Sequence, residues 1–343
     1  MIVKQMFIHE LCNGQSIHDY FAVAEARQGQ AKNGPFWHLR LQDRSGFINA
    51  RIWSPLSGEF PQIAQESIVR IKGQVNSFRD ELQLQVEQME IFPSIEHSDL
   101  ALFIPSGAQD PEQLLEALET LCRDELRHKP WRRLTHRVLH AEAVRGRFMT
   151  SFGGKSIHHA YLGGLLEHTL SVCRLALSIA DNYPEVDREI LLVAGVFHDL
   201  GKAWELSQGL ATDYTDEGRL LGHIHITLEI LAPFLRTQKD LDPHLAMHLK
   251  HLILSHHGEY EYGSPKRPKT AEALILHHAD NIDAKMNIME AAFDPELPEA
   301  DGMQWSPFQR SMDRYLCRPV KTPKNDRTNK AQTGTQCLLP LKG

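Results

Sequence analysis

Through the first ninety or so residues, apolar and polar side chains alternate one for one. "FWHLRLQD" and "GFINARIW" each set every second residue on one face, the period of a half-buried strand. "KNGP" and "DRSG" punctuate these runs as turns. "SIVRIKGQVNSFRDELQLQVEQMEIF" adds two further alternating runs, split near "SFRDE". Four or five short antiparallel strands in so short a stretch predict a small closed barrel. The Gly- and Pro-punctuated segment from Ser54 to Gln65 would join its halves, as an OB-fold requires.

From Asp110 the period becomes that of a helix. "DPEQLLEALETLCRDELRH" opens with an Asp110 cap, Pro111 at the first helical position, and Gln113 three residues after the cap. The pattern then stays helical to about Leu316. "GLLEHTLSVCRLALSIADN", "REILLVAGVFHDLG", "HIHITLEILAPFL", "LAMHLKHLILSHHG" and "AEALILHHADNIDAKMNIMEA" follow one another. After Pro319 periodicity stops, and a stretch rich in Thr, Asn, Gln and Lys predicts disorder. The expected protein is multidomain: an N-terminal all-β OB-fold barrel (1–93), a helical connector (94–150), an all-α domain (151–317) and a basic disordered tail (318–343).

Polar residues interrupt the helical stripes at particular places. His168 lies three residues after Leu165 and four before Val172, on the inner face. His198 and Asp199 end the next helix, with Gly201 as the expected stop. His223 opens a helix in "LLGHIHI". His256 and His257 end another before Gly258, and Asp280 falls four residues after Leu276 with Asp283 one turn on. One histidine beside an apolar stripe is more often a hydrogen-bonded core residue than a ligand. Here five consecutive helices each deliver His or Asp and no Cys joins them. Imidazole with carboxylate suits Mn, Fe, Zn or Co rather than a thiolate site or a calcium cage.

Composition narrows the picture. With 343 residues, 42% hydrophobic and 24% charged, the chain has ordinary globular composition and room for two domains. No apolar run approaches the roughly 18 residues of a spanning helix, and the start lacks a secretion signal, so a cytoplasmic protein is expected. Five scattered cysteines without a CxxC argue for reduced thiols. A net charge of −7 excludes a uniformly basic nucleic-acid binder, although a chelating carboxylate cluster itself lowers the total. The tail runs the other way, with Arg318, Lys321, Lys324, Arg327, Lys330 and Lys342 against Asp326.

The order "H…HD…H…HH…D" over helices resembles the HD superfamily of metal-dependent phosphohydrolases, named for the His-Asp doublet. "HHAYLGGLLEHT", "GVFHDLGKAWEL", "GRLLGHI" and "ILSHHGEYEYGSPKRPKTAEALILHHADNIDAKM" are more closely similar to the YhaM family of 3′–5′ exoribonucleases, which carry an OB-fold before the HD domain. The HD resemblance covers about Ser151 to Ala291; the barrel matches by pattern and position only. It implies that His168, His198, Asp199 and Asp280 hold a core metal. Asp199 would bridge to a second ion held by His223, His256 and His257. Mn²⁺ is the leading choice for both ions, with Fe, Co or Zn as alternatives.

Catalytic roles implied beside Asp199 fall on Lys202, as a point charge toward the scissile phosphate, and on His159, or its neighbour His158, as a phosphate contact. A solvated lysine and a supporting histidine are the competing readings, and Asp283 reads as support for a ligand. Lys266 and Arg267 in "GSPKRPK" are either simply solvated or steer a nucleic-acid backbone. In the barrel, Phe36, Trp37, Phe47, Trp53 and Phe78 are candidates for base stacking, with Trp37, Phe47 and Trp53 foremost; alternation sends about half of such residues inward.

The expected activity is a metal-dependent 3′–5′ exonuclease that degrades single-stranded RNA, with single-stranded DNA as a further substrate, to 5′-mononucleotides, without a membrane partner. Two alternatives stand beside it: an HD phosphohydrolase or phosphodiesterase for a small nucleotide, and a non-catalytic nucleic-acid-binding factor.

Overall fold

Alternation does build a barrel. The computed structural model describes residues 2–78, 81–92, 99, 102–104, 109–154, 161–207, 213–293, 302–320 and 322. Strands β1 (Ser16–Ala31), β2 (Gly34–Asp43), β3 (Gly46–Ile52), β4 (Ile68–Phe78) and β5 (Glu81–Phe92) close in the order β1-β2-β3-β5-β4. The long β1 closes it by pairing β4 through Ser16–Ala22 and β2 through Ala22–Ala31. All neighbours are antiparallel except β3 and β5. One alternate set fills the interior: Phe21, Val23, Leu39, Leu41, Ala50, Ile52, Val69, Ile71, Val75 and Leu84 are fully buried. Each such aliphatic or aromatic side chain contributes about 1.5–3 kcal/mol on leaving water.

The helices follow as α1 (Pro111–Glu125), α2 (Lys129–Leu139), α3 (Glu142–Thr150), α4 (Gly164–Ala180), α5 (Arg188–Phe197), α6 (Lys202–Glu205), α7 (Asp216–Thr237), α8 (Pro243–Ser255) and α9 (Ala271–Ala291). Asp110 caps α1 by accepting from the Glu112 N–H, with Pro111 at the first position as expected. Helix α5 is the spine: all of Ile190–Phe197 is buried, because helices α1, α2, α4 and α8 pack around it. No helix of the described residues is long and apolar enough to cross a membrane.

A short stretch ties barrel to helices. The Gln42 amide donates to the Phe103 carbonyl at 3.1 Å, and Phe103 packs with Ala22 and Ile68. Its neighbour Ile104 packs with Phe152 and Leu206, the residue after α6.

By their internal contacts the residues form two compact units, Met1–Glu290 and Ala291–Gly343. In the second unit the helical expectation to Leu316 fails. Beyond Ala291 the described residues hold no helix, and β6 (Gln304–Trp305) pairs with β7 (Cys317–Arg318). Gly302 and Pro307 work against a helix here, since proline lacks the N–H a helix needs and glycine loses the most freedom in one. Arg318, the first residue of the expected disordered tail, is thus in a strand; residue 321 and residues 323–343 lie outside the described residues.

Candidate metal centre and nucleic-acid face

Three helix ends and two helix interiors converge on a single buried point. The inner stripe of α4 (Leu165, Leu166, Val172, Cys173) carries His168 into the core at 1% exposure. Helix α5 stops at Phe197, and His198 and Asp199 continue from its buried end at 0% and 1%. Helix α7 contains a non-helical Gly222 (φ 74°, ψ 155°), so His223 opens the second of its two segments. His256 and His257 follow α8 just before Gly258, whose φ of +82° turns the chain away. Asp280 comes from the middle of α9.

The expected stop at Gly201 needs correction. Its φ is −62°, an ordinary right-handed value. What demands glycine is proximity: a Cβ there would strike the His223 carbonyl oxygen and sit 2.8 Å from the Thr227 nitrogen. Gly201 lets α7 press against the His-Asp doublet, which brings His223 to Asp199.

Hydrogen bonds orient every ring. The Nδ1 atoms of His198, His256 and His257 face the carbonyl oxygens of Gly195, Ile253 and Tyr262 at 2.8, 2.8 and 2.9 Å. Those of His168 and His223 face the carboxylates of Asp283 (2.7 Å) and Glu205 (3.1 Å). Carbonyl and carboxylate oxygens only accept, so each Nδ1 carries the proton and donates it, and each Nε2 is the nitrogen offered to the centre.

Two overlapping groups result, each with its donor atoms within 4.8 Å of one another. His168, His198, Asp199 and Asp280 form one; Asp199, His223, His256 and His257 form the other. Asp199 joins them. Its Oδ2 lies 3.3 Å from His168 Nε2 and 3.4 Å from His198 Nε2, while its Oδ1 lies 3.3 Å from His223 Nε2 and 3.5 Å from His256 Nε2. The Nε2 atoms of His168 and His198 are 3.3 Å apart.

This arrangement fits divalent metal. Asp199 Oδ1, His223 Nε2 and His256 Nε2 are buried without a hydrogen-bond partner, and Asp199 Oδ2 meets only the Lys202 ammonium among cationic side chains of fixed charge. A buried polar atom left unsatisfied costs about 1–3 kcal/mol, and three at one point call for a cation. Charge tells the same story. Burial alone would push the His168 pKa down, yet the carboxylates of Asp199, Asp280 and Asp283 around it raise it well above the ordinary histidine value. The carboxylates thus draw positive charge to this spot. Burial would raise the Asp199 and Asp280 pKa values, but Lys202 with His198 and His168 holds Asp199, and His168 with His198 holds Asp280, below the usual carboxylate range. Burial and the adjacent His256 and His223 push His257 down to about 3, keeping it neutral, the form that ligates.

Lys202 reaches the centre. Its ammonium lies 2.7 Å from Asp199 Oδ2 with only 14% of the side chain exposed, so it is not a solvated lysine. Asp283 has the supporting position expected, held in turn by the Ser171 hydroxyl. Glu205 was not anticipated: one carboxylate oxygen accepts from the His223 backbone N–H at 3.0 Å and from its ring. The only hint was an acid in the apolar run "KAWEL". His158 and His159 lie outside the described residues. Lys266 and Arg267 are exposed after α8; Arg267 pairs with Glu259 at 2.8 Å and lies 5.1 Å from the centre of the Tyr260 ring.

On the barrel, the outward set of β2 and β3 forms an aromatic and basic face. Phe36 and Trp53 lie 5.2 Å apart, Arg51 stands over Phe36, and Arg40 stacks 4.2 Å from the Phe47 ring. Phe47 and Trp53 are 46% and 44% exposed. Trp37 belongs to the other set and is corrected: it is 7% exposed, with its indole N–H donated to the Phe60 carbonyl, so it is core. The Phe78 side chain lies outside what is described.

Residues 165–285 match the HD domain model and residues 23–92 the model of an OB-fold nucleic acid binding domain. The fold and the site thus define an HD-domain hydrolase, a metal-dependent class, joined to an OB-fold. Among curated proteins, the 3′–5′ exoribonuclease YhaM of Bacillus velezensis is 36% identical over 298 residues, 87% of this chain and 93% of that protein. The YhaM of Bacillus subtilis is 35% identical over the same shares. This chain belongs to the YhaM family. Among solved structures, the second OB-fold domain of replication protein A from Methanococcus maripaludis is 24% identical, covering 26% of this chain and 98% of that one, with a TM-score of 0.23.

Proposed function

We propose that this protein is a cytoplasmic, metal-dependent 3′–5′ exonuclease that shortens single-stranded RNA, and single-stranded DNA as a further substrate, releasing 5′-mononucleotides. The observation that carries the reading is Asp199: a buried carboxylate with each oxygen turned to a different ligand group. His168, His198, Asp199 and Asp280 would hold one divalent cation, and Asp199, His223, His256 and His257 a second. The nitrogen and oxygen donors, with no thiolate, favour Mn²⁺ over softer-ligand metals, with Fe, Co and Zn as alternatives. Bound there, such ions supply Lewis acidity and an activated water.

The protein's own groups do the rest. Glu205 and Asp283 fix the rings of His223 and His168, so the donor nitrogens need no reorganisation. Lys202 puts a fixed positive charge beside Asp199, suited to holding a non-bridging oxygen of the scissile phosphate. Lys266 and Arg267 sit just after the double histidine and would guide the backbone toward it. Phe47 and Trp53, with Arg40 and Arg51, offer sequence-tolerant stacking to bases upstream of the cut. In this scheme residues 1–93 hold the strand, 94–150 connect, 151–317 cut, and 318–343 form a basic tail.

A 5′-labelled oligoribonucleotide with Mn²⁺ tests this. A ladder growing from the 3′ end supports the proposal. No cleavage together with mononucleotide turnover would make it a small-nucleotide phosphohydrolase, and a gel shift without cleavage a binding factor.

A further inference from the structure

Away from the metal centre, α1 and α2 flank a half-open cavity of about 570 Å³. Its rim is basic: Arg123, Lys129, Arg132, Arg133, His136 and His140 face it, with Glu119 as the only acid among the lining residues. In a chain of net charge −7, that concentration of positive charge is local. Part of it is already engaged, since Arg133 pairs with Asp240 at 2.8 Å and His140 faces Glu119 at 3.6 Å. Lys129 and Arg132 make no ion pair among the described residues.

The cavity wall holds a second, independent sign of a ligand. Thr135 is 2% exposed and its hydroxyl has no hydrogen-bond partner. Thr150, Thr169, Ser178, Thr237 and Ser255 each donate to the carbonyl four residues earlier, the ordinary solution within a helix. Thr135 in α2 does not, and it is one of the residues that line the cavity. The remaining wall suits an organic ring. Leu139 and Cys122 are apolar, burial pushes the Cys122 thiol up to about 12 and keeps it uncharged, and the His136 and His140 rings stack 3.9 Å apart at 13°.

We propose that this cavity binds a free nucleoside phosphate, with its phosphates on Lys129 and Arg132 and its ring against Leu139 and the stacked imidazoles. The volume is too large for inorganic phosphate alone and lies within the usual range for small-ligand sites, about 300–1,000 Å³. The site is distinct from the metal centre. His128, just before α2, donates its backbone N–H to Glu189 in the first turn of α5, whereas His198 follows that helix's last residue. Ten helical residues rise about 15 Å. Because α2 also packs on α5 and α7, which carry His198 and His223, ligand here bears on the helices that place the metal-binding residues.

The test is equilibrium binding of ATP, adenosine and a short oligoribonucleotide to the full chain in EDTA, with hydrogen–deuterium exchange to locate protection. Saturable ATP binding that protects residues 122–140, with adenosine at least about tenfold weaker, is the expected result. A Lys129→Glu/Arg132→Glu variant should lose about tenfold or more in ATP affinity. Thr135→Val, nearly isosteric, should lose roughly three- to tenfold. Without ATP the charge variant should keep wild-type melting and Thr135→Val should melt at or above it, and both should keep wild-type turnover of a dinucleotide. The proposal is overturned by absence of saturable ATP binding, by protection confined to the residues around Asp199, by undiminished affinity in either variant, or by protection of 122–140 with the oligonucleotide alone.

Discussion

Barrel and helical region treat polar side chains in opposite ways. In the barrel region the buried polar side chains are paired, as Lys4 is with Asp43 and Asp19 with the backbone N–H groups of Gln5 and Met6, while Arg40, Phe47 and Arg51 lie on the outer face of β2 and β3. In the helical region a cluster of histidines and carboxylates sits in the core, with His168, His198, Asp199 and His256 at 1% exposure or less. The first arrangement is what stability alone would select. The second opposes stability, because each buried unsatisfied atom is unfavourable, so it marks the place where a ligand must compensate. Binding and chemistry are thus assigned to different regions by physics before any substrate is considered.

The strongest way to break this contrast is Asp199→Ala. Loss of the shared carboxylate should lower hydrolysis by about a thousandfold or more, on long RNA and on a dinucleotide alike. The circular dichroism spectrum should stay that of the parent. Near-normal turnover with Mn²⁺ would remove Asp199 from the chemistry.

Two tryptophans sharpen the contrast within the barrel. Trp37→Ala removes a core side chain and should cost about 3–5 kcal/mol in denaturant unfolding. Trp53→Ala should change stability by about 0.5 kcal/mol or less. It should instead raise the RNA concentration needed for half-maximal rate by about tenfold while leaving dinucleotide cleavage unchanged. Equal losses on both substrates would make the outer face a structural prop.

The smaller effect concerns orientation. Glu205→Gln leaves the shape but removes the charge that holds the His223 ring and backbone N–H. Metal affinity, measured by competition with a chelator, should fall about tenfold or more for one ion and stay unchanged for the other. Two unaltered affinities would mean that Glu205 serves stability alone.

Much of this was legible in the chain because periodicity is a local property. Period-two runs gave the barrel, and the placement of His168, His198, Asp199, His223, His256, His257 and Asp280 at helix ends and inner faces gave the cluster. What stayed hidden depends on contacts between distant segments. Alternation sends about half of the barrel aromatics inward but does not say which; only barrel closure buries Trp37 and leaves Trp53 outside. Gly201 reads as a helix stop until α7 is seen against it. Glu205 looks like any acid in a short helix until its partner arrives from Gly222's kink. The helical reading ran past Ala291 because scattered apolar residues imitate a stripe when the prolines among them are given too little weight.

The central claim is that one carboxylate serves two metal positions, and metal content tests it most directly. His256 belongs only to the second group, facing Asp199 Oδ1 at 3.5 Å. Purified in Mn²⁺, the parent should carry two ions per chain and the folded His256→Ala variant about one, with His168, His198, Asp199 and Asp280 retaining theirs. Two ions per chain in the variant would show that His256 is not a ligand, and the shared-carboxylate account would fall.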